Sequence, residues 1–243
     1  MAFRLLSQMP YRGPYLNDAK IISWWSALKN DHTMLGPSFG AGSRLGNSNT
    51  VSSAARHSSS STAKALGVAA VMKAFEVNTV IELGTNLGSS SAAIALLNPN
   101  ARIHTVEGNS ELLSRATAYF SYLKLNNILT YNKRFEDFLS QNTDIIRKAD
   151  AIYLDGDHSY QATIDYIGKV LSTSFNGLII MDDIRWSNGM LKAWKELIAS
   201  LNHALFIDCF NMGIIHVSDR YFGRKTINYI PRKYKPFVTG LRP

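Results

Sequence analysis

The chain has one cysteine, Cys209, among 243 residues. That excludes an internal disulfide and fits a reducing compartment, so a cytoplasmic location is expected. In FIDCF the thiol reads as a small buried hydrophobe. No apolar run reaches the roughly 18 residues a membrane span requires, so no membrane partner is expected. The opening MAFRLLSQMPYRGPYL holds Arg4 and no long apolar core before Pro10, which makes a poor signal peptide. Internal repeats are absent. Acids are scarce at both ends: net charge is +5 over residues 1–70, −3 over 71–220 and +6 over 221–243. The centre is mildly acidic, and the basic tail suits an acidic partner or, more simply, solvation.

What is present suits one globular domain with a sizeable core, at 46% hydrophobic and 18% charged residues. NDAKIISWWSALKN has the spacing of an amphipathic helix, and GPSFGAGSRLGNSNTVSSAARHSSSS reads as a long loop. From Ser60 helices and strands alternate. STAKALGVAAVMKAF is a helix, TVIEL a strand, SSSAAIALL a helix, RIHTVEG a strand and SELLSRATAYFSYLKL a helix. ILTYNK, ADAIYLDG and GLIIMDD follow as strands, with FEDFLSQN and SYQATIDYIGKVLS as intervening helices. NGMLKAWKELIAS then leads to HALFIDCF and MGIIHVS, two strands whose short link permits only an antiparallel pair. The expected fold is therefore α/β: a seven-stranded, mostly parallel sheet with an antiparallel last strand and helices on both faces. Residues 1–59 form an N-terminal helix and Gly/Ser-rich extension, 60–220 the main domain, and 221–243 a basic tail.

Ligands of such sheets bind at the carboxyl ends of the strands, which singles out VIELGTNLGSSS. Gly84 and Gly88 suit a close backbone approach, and Ser89, Ser90 and Ser91 open a helix. A dinucleotide site would use G-x-G-x-x-G, but Asn86 stands where the middle glycine belongs. Glu82 would repel a pyrophosphate and suits a cationic ligand. Glu107 ends the next strand, 23 residues beyond Gly84, where a carboxylate can accept two ribose hydroxyls. A ribose and a positive charge without phosphates describe S-adenosylmethionine better than a dinucleotide. The plain alternative for both glycines is a tight turn.

VIELGTNLGSSS, IHTVEGN and AIYLDGDHSY together resemble the class I S-adenosylmethionine-dependent methyltransferases over about residues 60–220. The resemblance implies a Rossmann-like fold. It implies a cofactor site formed by Glu82, Gly84, Thr85, Asn86, Gly88, Ser89, Ser90, Glu107, Gly108 and Asn109, with Phe135 on the adenine side and Asp155 and His158 beyond it.

Asp155 ends one strand, and Asp182 and Asp183 end the next. Neighbouring strands lie about 4.8 Å apart, so these carboxylates can converge. A hard divalent cation such as Mg²⁺ would relieve their repulsion and activate a substrate hydroxyl. The same segments are similar to cation-dependent small-molecule O-methyltransferases, which implies Asp155, Asp182 and Asp183 as metal ligands. The competing reading has Asp155 touching the cofactor and Asp182 or Asp183 capping a helix. His158, on the loop after Asp155, suits a general base for the acceptor or a loop contact. His104, inside a strand, reads as structural, and His57 approaches the cofactor only if the serine-rich loop folds over it. Trp186 suits an acceptor wall and Trp194 the core.

Methyl transfer to a hydroxyl of a small molecule, with Asp155 and His158 as catalytic residues, is the leading expectation. Methylation of nucleic acid or protein is the alternative suggested by the basic ends. DGDHSY lacks the Asn/Asp-Pro-Pro-aromatic turn of base N-methylating enzymes, which argues against it. A non-catalytic cofactor-binding module and an NAD-linked oxidoreductase complete the field. The apolar N-terminal helix leaves room for a homodimer.

Overall fold

The computed structural model describes residues 19–35, 50–58 and 62–228. The segment 36–49, the side chain of His57 and the tail beyond 228 lie outside the described residues, and so does the expected approach of His57 to the cofactor. α1 (Ala19–Lys29) and α2 (Val51–Ser53), which runs on into a π-helical turn (Ala54–Ser58), precede the main domain. Next come α3 (Thr62–Ala74), β1 (Thr79–Leu83), α4 (Ser89–Leu97), β2 (Arg102–Glu107), α5 (Ser110–Tyr122) and β3 (Ile128–Asn132). α6 (Phe135–Gln141), α7 (Thr143–Lys148), β4 (Ala151–Leu154), α8 (Tyr160–Ser172) and β5 (Gly177–Met181) follow. α9 (Asn188–Ser200), β6 (Ala204–Asp208), β7 (Gly213–Val217) and β8 (Lys225–Asn228) complete the described chain. No helix among the described residues is long and apolar enough to cross a membrane.

The strand order is β3-β2-β1-β4-β5-β7-β6-β8. β1 to β5 run parallel, and β7 is antiparallel to both β5 and β6. The seven expected strands are present and an eighth is added: β8 pairs in parallel with β6, inside the segment expected to be a basic tail. Its sequence KTIN is polar because it forms the sheet's edge, with only Ile227 half-buried. The turn of helix over 51–58 is also new. Its serines and alanines read as loop, but Val51, Ala54 and Ala55 pack with Leu28, Leu87 and Leu112. Trp24 of α1 stacks on Tyr119 and Tyr122 of α5, with ring centroids 5.1 and 5.6 Å apart, so this helix does pack on the core. Asp31 adds an ion pair to Arg115 at 3.0 Å.

Strand residues alternate between two apolar layers, as a sheet covered on both faces requires. Val80, Ile103, Tyr153 and Ile180 face the layer of α3 and α4, among Leu66, Val68, Met72 and Ile94. Ile81, Leu83, Val106, Leu154 and Met181 face the opposite layer with Phe138, Ile167 and Trp194. α3 is buried over most of its length, which explains the apolar run from Ala65 to Met72 between Lys64 and Lys73. Cys209 is buried, and that burial pushes its thiol up to about 12. His104 is buried beside the Tyr131 hydroxyl at 2.8 Å, as a structural residue would be.

The alternation has a consequence for chemistry. Two residues past Val80, Glu82 returns to the α3/α4 face, and Asp155 and Asp182 do the same just past β4 and β5. β1 and β4 are adjacent although β2 and β3 intervene in sequence, so the chain reverses its winding between them. Crevices open at such a point.

Candidate active site

β1 passes into α4 through Gly84–Gly88. The loop uses its own amides: Gly84 N and Thr85 N donate to Val106 O at 3.0 and 3.2 Å, and Gly88 N donates to Thr85 O at 2.8 Å. Gly84 has φ +114°, and a Cβ there would lie 2.3 Å from the Asp155 carbonyl oxygen. The glycine thus lets the β1 turn touch the β4 turn. Gly88, at φ +82°, would drive a Cβ to 2.6 Å from the Phe120 ring, so it seats the start of α4 on α5. The close approaches these two glycines permit are to the protein's own chain.

Glu82 is fully buried. Its Oε2 accepts from the Ser91 hydroxyl of α4 and from Thr105 Oγ1 at 2.6 Å. Thr105 is its register partner on β2, and Thr105 Oγ1 lies 2.6 Å from Thr85 Oγ1. Glu82 Oε1 has no hydrogen-bond partner. Burial pushes the carboxyl up to about 7, against the Ser90, Ser91 and Thr105 hydroxyls that lower it. Glu82 therefore lies beneath the loop and ties β1, β2 and α4 together. Ser91 and Thr105 were not among the expected site residues; their signal is the strand alternation and the helix spacing that bring them to one face.

Glu107 stands at the end of β2 as expected. Its Oε2 accepts from Asn86 N and its Oε1 from Asn109 N, each at 2.9 Å. A carboxylate has about four lone-pair sites, so these amides leave acceptor capacity for a hydroxyl donor. Burial raises this carboxyl above its ordinary range, with the amides of Asn109, Asn86 and Gly108 acting in opposition. Asn86 sits at φ +50°, and its Oδ1 accepts from Leu87 N at 2.8 Å. Asn109 caps α5, accepting from Glu111 N and Leu112 N at 3.0 Å each. Ser90 is buried and Ser89 half-buried at the start of α4. Phe135 opens α6 with its ring against Gly156, where a Cβ would lie 2.8 Å away, and meets Tyr166 edge-on at 5.7 Å.

Asp155 accepts from the Tyr153 hydroxyl at 3.0 Å, and His158 Nε2 lies 3.9 Å from its other oxygen. The His158 ring is 6.2 Å from that of Trp186, which is 45% exposed. Trp194 is fully in the core and donates to Asp208 at 3.3 Å. The side chain of Asp182 is 0% exposed. Burial, then the neighbouring Asp155, hold it well above the usual carboxylate range. Sequence reasoning missed the group that answers this charge. Lys64, in the first turn of α3, places its ammonium on Asp182 Oδ2 and 3.3 Å from Asp183 Oδ1. Burial works against the Lys64 charge, but Asp182, Asp155 and Asp183 outweigh it and hold the amine above its ordinary range.

The expected metal ligands do not fit a divalent ion in this arrangement. Asp182 and Asp183 share the ammonium of Lys64, and Asp155 adds its charge to the same neighbourhood. Among the described residues no three His, Cys, Asp or Glu side chains are grouped to hold a metal ion.

Residues 81–184 match the family model described as a methyltransferase domain. No curated protein matches the sequence. Solved structures similar to the chain include an O-methyltransferase from Bacillus cereus in complex with S-adenosylhomocysteine. It is 22% identical, with a TM-score of 0.54 over 67% of this chain and 83% of that one. The O-methyltransferase TomG from Streptomyces achromogenes, in complex with S-adenosylmethionine, is 14% identical, with a TM-score of 0.56 over 67% and 82%. The S-adenosylhomocysteine-bound methyltransferase PaMTH1 of Podospora anserina is 13% identical, with a TM-score of 0.61 over 90% and 95%. The matched span runs from within β1 to just beyond β5 and contains Glu82, Glu107, Asp155 and Asp182. Residues 81–184 thus match a methyltransferase domain, and the fold of the chain is that of methyltransferases solved with S-adenosylmethionine or S-adenosylhomocysteine bound.

Proposed function

We propose that the protein transfers a methyl group from S-adenosylmethionine to a hydroxyl of a small molecule. The observation that carries the reading is Glu107: a strand-end carboxylate held by the loop amides of Asn86, Asn109 and Gly108, with acceptor capacity left over. It would take the ribose hydroxyls. The Phe135 face would hold the adenine, and the Gly84–Gly88 loop would hold the methionine part. When bound, S-adenosylmethionine supplies a methyl group already activated by its sulfonium.

The chain's own task is alignment, exclusion of water and removal of one proton. His158 would take that proton from the acceptor hydroxyl; its Nε2 lies 3.9 Å from Asp155. Trp186 gives the acceptor an apolar wall beside His158. The preference for oxygen rests on the O-methyltransferases among the similar folds. No step runs through a divalent cation, because the Lys64 ammonium already lies on two of the three expected ligands.

Calorimetric titration with S-adenosylmethionine tests the reading. One-site binding is expected, and Glu107→Gln should weaken it by about tenfold or more, the worth of a charge-assisted hydrogen bond. Absence of binding by the intact protein would overturn the cofactor assignment.

A further inference from the structure

We propose that Lys64 is the resident cation of the acidic edge, filling the place among Asp155, Asp182 and Asp183 that a divalent ion would take, and that its fixed charge positions the acceptor oxygen.

Three observations carry this. The ammonium lies on Asp182 and 3.3 Å from Asp183, at the carboxyl ends of β4 and β5. Its side chain is 29% exposed while that of Asp182 is 0%, so the lysine is the member of this pair that a ligand can reach. A lysine in the first turn of a helix also opposes the helix dipole. α3 has no acid in its first turn to offset that, and Lys64 sits beside the buried Ala65 and Leu66. Asp183, one of the acids that compensate it, lies 119 residues away in sequence, brought there by the packing of α3 on the sheet. An ammonium at this place would attract the lone pair of an acceptor hydroxyl and stabilise the oxygen as its proton leaves. It would also repel an incoming dication. The chemical use rests on the methyl-transfer reading; the cation's position does not.

Mn²⁺ is the probe, because its six-line paramagnetic resonance signal disappears when the ion binds. The wild-type protein should leave the signal of stoichiometric Mn²⁺ unchanged. Lys64→Ala, which leaves three carboxylates without their cation, should tighten Mn²⁺ binding by about 100-fold at low salt. Asp182→Asn in the same background should abolish the gain, and Lys64→Arg should behave as wild type. A stoichiometric Mn²⁺ site in the wild type that Asp182→Asn removes would overturn the proposal. So would a folded Lys64→Ala that gains no site. Lys64→Met guards against a misfolded alanine variant, since it keeps the side-chain bulk and loses the charge. If neither neutral variant folds while Lys64→Arg does, the charge itself is what the edge requires, and the proposal stands. If Lys64→Arg also fails to fold, shape rather than charge is at stake, and the proposal falls. Titration of the same wild-type protein with S-adenosylmethionine reads β1 and β2 instead. A failure of the methyl-transfer reading is therefore distinguishable from a failure of this one.

Discussion

Replacing Glu82 with glutamine should change how stability depends on pH. In the folded protein the carboxyl is pushed from 4.5 up to about 7 by burial. Between those values the unfolded chain has released a proton that the folded protein still holds. Stability should therefore fall as pH rises through this window and level off above it. The shift of about 2.5 units corresponds to about 3 kcal/mol at 1.36 kcal/mol per unit. Glu82→Gln removes that contribution. The amide nitrogen would occupy the position of Oε1, which lacks a partner, at a cost of about 1–3 kcal/mol. That cost is the same at every pH and cancels when slopes are compared. We therefore predict, from urea unfolding at pH 4.5 and pH 8, that the wild type loses about 3 kcal/mol more than the variant across the interval. Parallel profiles for the two proteins would refute the claim that Glu82 is folded into place largely as a neutral acid.

Gly84→Ala should destabilise the ligand-free protein by about 2–5 kcal/mol, combining positive-φ strain with overlap on the Asp155 backbone. An unchanged urea midpoint with loss of cofactor binding alone would mean that the glycine serves a ligand. Arg185 grips Asp208 with two bonds of 2.7 Å and also reaches Phe210 O, pinning the β6–β7 turn. Arg185→Met should cost about 1–3 kcal/mol at neutral pH. Burial pushes Asp208 upward, but Arg185 and the Phe210 amide outweigh it and hold the carboxyl below its ordinary value of 3.8. The pair's contribution is thus present above that value and lost as pH falls below it. The two thermal profiles should converge in acid, and a gap that persists there would contradict the assignment.

How much of this was legible in the sequence depended on how local the cause was. TVIEL, RIHTVE and GLIIM announced buried parallel strands because their β-branched and aliphatic residues suit both covered faces. Glu107 was legible because a strand end and a fixed distance from Gly84 define its place. The glycines were legible as glycines, but their neighbours were not: Gly84 meets Asp155 and Gly88 meets Phe120, contacts that only the assembled sheet supplies. β8 escaped because an edge strand buries little and so carries no apolar pattern. The helix over 51–58 escaped because its serine-rich composition is overridden by packing against Leu28 and Leu112. Lys64 escaped because its partners follow two strands that it does not precede directly. Strand alternation alone points Asp155 and Asp182 toward the α3/α4 layer, and that was the signal available.

The pairing of β1 sets the order in which the site can come into being. Its ladder to β2 joins Thr79 to Arg102, a short closure, whereas its ladder to β4 joins Val80 to Ala151. Long closures cost more entropy and form later. A chain made from its N-terminus would expose the whole glycine segment, and Glu107 with it, long before Asp155 existed to receive Gly84. Until β4 docks, Glu82 has a neighbouring strand on one side only. The motif residues of the first two strands therefore become a site only when a segment some seventy residues downstream of β1 arrives to shape their loop.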